Sequence, residues 1–235
     1  MVALSQALTG FLLLAEHALA AKRVPATTFK DCQRKTSVPL DGCPDGTLYV
    51  SQDDASADFA TIQAAIRSLP NDTSSHVILI GAGIYTEQLN VTRSGPVTLL
   101  GQSDKPWKGE LYADVTYDED PQNDVQVLFN AANHESSYPD NLYTSVLAVG
   151  PTYNATLTGA GPTGYPVPEN TPFGCSDFRA YNIDFRNEFA PRAMGPAHAI
   201  AVGYANAGFY SCGFYSYQDT VSAPSNAGEI FHADM

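Results

Sequence analysis

The chain predicts an all-β domain built as a stack of short coils. Among its 235 residues, 18 Gly and 16 Pro accompany 13 Tyr and 11 Phe, a composition of many turns and pleated surfaces rather than long helices. Short apolar runs recur with turn residues between them. Finally, Tyr181-x-Ile183-x-Phe185 superposes on Tyr210-x-Cys212-x-Phe214 at an offset of 29. That period suits a solenoid whose aromatic residues stack on neighbouring coils.

The elements follow in order. Residues 1–20 read as a signal peptide: an apolar stretch centred on Phe11-Leu12-Leu13-Leu14 ends in the small-x-small site Ala18-Leu19-Ala20. It is too short to span a membrane. Residues 21–46 read as an irregular leader, and 47–235 as the domain. Phe59, Ile62, Ile66 and Leu69 lie on one face of a helix that Ser56 or Asp58 can cap and Pro70 stops. Such a stripe needs a surface to cover, and the end of a coil stack is one. The predicted strands are His76–Ile80, Tyr85–Val91, Val97–Gly101, Val125–Phe129, Val146–Val149, Asp177–Phe185, His198–Val202 and Phe209–Tyr215. Residues 102–145, with an acidic run over Asp114–Asp124, and residues 151–174 contain loops longer than a plain coil needs. They read as solvated loop; the alternative makes them a wall of a polysaccharide groove, with Tyr143, Tyr153 or Tyr165 against sugar faces.

The net charge of −13, or −12 once Glu16 leaves with the first twenty residues, argues against nucleic acid and anionic membranes as partners. The four cysteines do not have zinc-site spacing. Cys32 and Cys43 flank a short loop and are expected as a disulfide in an oxidising compartment. Cys212 reads as a buried small hydrophobe, and whether Cys175 pairs with it stays open. Asn71-Asp72-Thr73, Asn90-Val91-Thr92 and Asn154-Ala155-Thr156 fit the N-glycosylation pattern.

The aromatic run Gly208–Tyr217 ends in Gln218-Asp219-Thr220. A carboxylate at the end of an apolar strand is costly to desolvate and so tends to hold a proton it can donate. The plainer reading is a turn Asp closing a strand. This triplet resembles the Gln-Asp-Thr motif of the pectin methylesterases. Three further segments match that family in order: Thr61-Ile62-Gln63-Ala64-Ala65-Ile66; Gly83-Ile84-Tyr85-Thr86-Glu87, similar to Gly-x-Tyr-x-Glu; and Ala197-His198-Ala199-Ile200-Ala201-Val202, where the family carries Gly-Gln-Ala-Val-Ala-Leu. The resemblance covers roughly residues 45–221.

The resemblance implies a right-handed parallel β-helix. It also implies a secreted esterase that releases methanol from methyl-esterified galacturonate in pectin with two aspartates, no metal and no cofactor. A monomer is expected. Asp219 then matches the general acid/base and Gln218 an oxyanion donor. His198 stands where the family has its other oxyanion glutamine, and a histidine donates there only in the right protonation state. The family's nucleophile lies in Asp-Phe-Ile-Phe-Gly, about one coil further on, followed by Leu-Gly-Arg-Pro-Trp. Residues 221–235 contain neither segment, and Asp234 is their only aspartate. The expectation is therefore a partial domain whose activity is in doubt, with a non-catalytic pectin-binding relative as the alternative. A pectate lyase or polygalacturonase reading lacks its grouped acidic and basic residues. The sequence names no substrate-binding residue.

Overall fold

Strands this short arise because the chain turns a corner every few residues and returns to the same face one coil later. The computed structural model describes residues 29–106, 123–152, 155, 170–190, 192–223 and 230–233. Three sheets run along it. The first contains β1 (Leu48–Val50), β2 (His76–Ile80), β5 (Val97–Gly101), β8 (Phe178–Tyr181), β11 (Ala207–Tyr210) and β14 (Ile230–Ala233). The second holds β3 (Gly83–Thr86), β6 (Val125–Leu128), β9 (Ile183–Arg186) and β12 (Gly213–Tyr215). The third holds β4 (Leu89–Val91), β7 (Leu147–Val149), β10 (Ile200–Val202) and β13 (Val221–Ser222). Every pairing among them is parallel, and from β2 onward successive strands enter the three sheets in turn. This is the architecture of a parallel β-helix.

Three predicted strands divide in two. Tyr85–Val91, Asp177–Phe185 and Phe209–Tyr215 each bend between sheets. Asn182 and Ser211 make the latter two bends with φ of 52° and 50°. Non-Gly residues rarely adopt this left-handed geometry, and asparagine is among those that tolerate it best. The offset of 29 is real: Tyr210 sits in register on Tyr181 and Phe214 on Phe185. The tyrosine rings stack with centroids 4.5 Å apart and the phenylalanines at 6.1 Å.

Alternate strand residues point inward to a continuous core that includes Ile78, Leu99, Phe178, Phe185, Phe209, Leu147 and Ile200. The outer face of the first sheet is covered as well. Tyr49, Leu79, Leu100 and Tyr181 pack against Phe29 and Cys32 of α1 (Phe29–Cys32). A sheet covered on both faces explains why His76–Ile80 and Val97–Gly101 read as unbroken apolar runs. From Phe29 on, the segment read as an irregular leader thus packs on the first sheet. Cys32 and Cys43 form the expected disulfide. Gln33 Nε2 donates to Gly101 O at 2.9 Å and Asn182 Oδ1 at 3.0 Å. Cys175 and Cys212 are both buried free thiols, and burial pushes them up to about 11 and about 12.

The predicted helix appears as α2 (Ile62–Ser68), with Ile62, Ala65 and Ile66 buried against the core beside β1, β2 and β4. It closes the N-terminal end of the stack. Its cap corrects the expectation. Thr61, not Ser56 or Asp58, is the N-cap, its Oγ1 accepting from Ala64 N at 3.3 Å. Asp58 instead accepts from Tyr49 N at 2.8 Å. Phe59 bridges to Val50 ahead of the helix, so the helix starts after it.

Candidate active site

The four motif segments assemble at two places. Thr61–Ile66 and Gly83–Glu87 interlock at the N-terminal end. Glu87 Oε1 accepts from Ile62 N at 2.9 Å and Oε2 from Gln63 N at 2.8 Å, satisfying first-turn N–H groups of α2 that have no intrahelical partner. Gln63 holds the edge strand β4 through Asn90 N (2.6 Å) and Asn90 O (3.2 Å). The Tyr85 hydroxyl is buried and donates to Gly81 O at 2.8 Å.

The other two segments meet just ahead of the third sheet. Leu147, Ile200 and Val221 share one register position, so Ser145, His198 and Asp219 occupy the same rung, two residues earlier, of three successive coils. Backbone bonds carry the register to that rung. Ala197 N donates to Gln218 O at 3.0 Å, Ala199 N to Thr220 O at 2.8 Å, and Val146 N to His198 O at 3.2 Å.

The three rungs differ in environment. Ser145 is fully buried and His198 is 2 % exposed. Burial lowers the His198 pKa, and the nearby carboxylates of Asp219 and Asp140 oppose it. Asp219 is exposed and adopts φ 55°. It lies on a turn four residues past the end of β12, not at the end of an apolar strand, so the desolvation argument drawn from the aromatic run does not apply to it as described. Gln218 is half-buried; its Oε1 accepts from Gly195 N at 3.2 Å, and among the described residues its Nε2 has no partner.

Asn187 binds this region together. Buried, it donates through Nδ2 to Ala131 O (2.8 Å), Thr144 O (2.9 Å) and His198 O (3.2 Å), and its Oδ1 accepts from Ala131 N at 3.2 Å. Thr144 Oγ1 accepts from His198 N at 3.0 Å. A small depression beside Gly195 is lined by Asn187, Phe189, Arg192, Met194 and Tyr217. Phe189, Met194 and Tyr217 are 45 %, 36 % and 54 % exposed.

No protein-family model matches the chain. It is 30 % identical over 217 residues to the probable pectinesterase A of Aspergillus niger, an alignment covering 91 % of this chain and 51 % of that protein. The crystal structure of the pectin methylesterase from Aspergillus niger superposes with a TM-score of 0.51 at 25 % identity, over 77 % of this chain and 46 % of that one. The chain belongs to the pectinesterase family. The pectin methylesterase from carrot shares the fold, with a TM-score of 0.52 at 20 % identity over 76 % of this chain and 42 % of that chain. The chain spans about half the length of the curated relatives it matches.

At this site the sequence marks Gln218, Asp219 and His198 but not Ser145, Asn187 or the exposed apolar residues of the depression. Nothing in the pattern around Asn187 or Phe189 marks them, since their partners come from other coils. Asp234, Tyr153 and Tyr165, residues 1–20 and Asn154 lie outside the described residues. Tyr143 is half-buried.

Proposed function

We propose that this chain supplies the acid/base and oxyanion part of an aspartyl esterase site that hydrolyses methyl esters of galacturonate in pectin. The observation that carries the reading is the rung: the residues that match the Gln-Asp pair and the oxyanion glutamine lie on adjacent coils, joined by backbone bonds on either side. In the aspartyl esterase reaction a carboxylate of the Asp-Phe-Ile-Phe-Gly kind adds to the ester carbonyl; Asp219 protonates the methoxide that this displaces, and later draws a proton from the water that cleaves the resulting acyl-enzyme and frees the nucleophile. Gln218 Nε2 and an N–H of His198 stabilise the oxyanion. The exposed faces of Phe189, Met194 and Tyr217 offer apolar contact to a sugar ring beside them. Uncharged esterified pectin suits a chain of net charge −13.

The same reading places the protein outside the cell, cleaved after Ala20 and acting as a monomer, with glycans on exposed acceptors such as Asn71. Among the described residues no helix is long and apolar enough to cross a membrane.

The nearly complete burial of His198 favours a second reading, a relative that binds pectin without hydrolysing it. Methanol release from esterified pectin separates the two. Residues 1–235 contain no Asp-Phe-Ile-Phe-Gly segment, so this polypeptide alone should release no methanol above background. A gene product that reads past codon 235 into such a segment should release it, and Asp219→Asn should lower the rate about 10²–10⁴-fold. An Asp219→Asn protein of that length with undiminished activity would sink the assignment.

A further inference from the structure

Ser145 and His198 form a buried pair in which one arrangement of protons satisfies both the serine hydroxyl and His198 Nδ1. Ser145 Oγ lies 3.4 Å from His198 Nδ1. The Ser145 backbone is already committed, its N–H to Leu142 O at 2.9 Å and its carbonyl to Gln88 Nε2 at 2.9 Å. Among the described residues Oγ has no partner except His198. With the ring proton on Nδ1, that N–H would donate to Oγ and the hydroxyl hydrogen would be left without an acceptor in a buried site. An unsatisfied buried group costs about 1–3 kcal/mol. With the ring proton on Nε2, the hydroxyl donates to Nδ1 and both groups are satisfied.

We infer that Ser145 is a positioning residue that holds His198 as the Nε2–H tautomer, so that the ring presents one N–H on the side turned away from the preceding coil. The two ring nitrogens point in divergent directions, and Nδ1 is engaged from the Ser145 side. The next rung on that other side is Asp219. The charged groups that act on the ring are the carboxylates of Asp219 and Asp140; Asp140 Oδ1 already accepts from Leu142 N at 2.8 Å. A glutamine amide at this position always carries donor hydrogens. A histidine does so at a given nitrogen only if something selects the tautomer, and Ser145 is placed to select it. The catalytic meaning of this rests on His198 being an oxyanion donor; the tautomer itself does not.

The experiment is a long-range ¹H–¹⁵N correlation of the imidazole rings in the ¹⁵N-labelled full chain, recorded above the ordinary imidazole titration range. The His198 signals are assigned by their loss in His198→Gln. The expected pattern is protonated Nε2 with unprotonated Nδ1. Ser145→Ala should shift the His198 Nδ1 resonance, because that nitrogen loses its donor, and leave the rings of His76 and His134 unchanged. A protonated Nδ1 in the unsubstituted protein overturns the inference. So does an unmoved Nδ1 resonance in Ser145→Ala. The unsubstituted protein decides alone if that variant does not fold. Absence of methanol release from a longer product that carries an Asp-Phe-Ile-Phe-Gly segment would count against the esterase reading while leaving the tautomer result standing.

Discussion

Glu87 and Asp219 are both motif carboxylates, and the fold treats them in opposite ways. Glu87 uses both oxygens on backbone N–H groups of α2, while Gln63 beside it secures β4. Asp219 stands exposed on a left-handed turn and, among the described residues, accepts no hydrogen bond. At the N-terminal end of the stack the polar side chains are engaged; in the coil that leads into β13 the backbone on either side of Asp219 is bonded and the carboxylate is left for other use. Residue type therefore does not separate a structural carboxylate from a functional one. Whether its lone pairs already have partners does.

The sharpest way to break this contrast is Asn187→Ala, because Asn187 belongs to the site region yet is tied down more fully than Glu87. Its loss leaves Ala131 N, Ala131 O and Thr144 O unpaired in the interior, while His198 O keeps its bond from Val146 N. The expected cost is about 3 kcal/mol or more, read as a fall in urea midpoint. A change below about 1 kcal/mol would show that the bracket is dispensable.

Glu87→Ala removes two charge-assisted bonds to the helix N-terminus and should cost about 2–3 kcal/mol in the same measurement. A neutral result would remove the structural half of the contrast.

His198 adds a pH dependence. Its folded pKa lies below the ordinary imidazole value, burial being the main cause, so the unfolded chain takes up a proton first as pH falls. The sign is fixed: the contribution is fully present above about pH 6.5, the unfolded value, and is lost as pH drops below it. Urea titrations of the parent and His198→Gln should therefore diverge in slope below about pH 6.5, the variant being flatter. Parallel curves would contradict a buried, neutral His198. His76 is shifted the same way by burial and Arg93, and the difference between parent and variant removes its share.

The smallest effect belongs to Asp219→Asn, which should leave stability within about 0.5 kcal/mol. A larger loss would mean that Asp219, like Glu87, has structural partners.

The repeat between Tyr181 and Tyr210 was legible because one coil there takes 29 residues and stacks like on like. The earlier coils hide their period. Leu79 pairs with Leu100 21 residues on, and Leu100 with Tyr181 81 residues on. Strand runs, the Cys32–Cys43 pair and the motif triplet are likewise short-range features that local pattern reports. The helix face was also visible, but not its cap: the local pattern pointed to Ser56 or Asp58, and with Phe59 held in the bridge to Val50 the helix starts later, at Thr61.

By itself, then, the sequence determined a coil stack with an apolar inner face, an N-terminal helix to close it, and the Gln218-Asp219-Thr220 and His198 segments as the places to look. The tertiary structure alone decided that Glu87 belongs to the helix, that Asp219 is exposed while His198 is buried, and that Ser145 and Asn187 serve His198. The reason is geometric. Alternation along a strand says which side chains face inward. In a parallel β-helix, however, the neighbour that completes a hydrogen bond lies one coil away, at a separation set by turns of unequal length. No local periodicity records that separation.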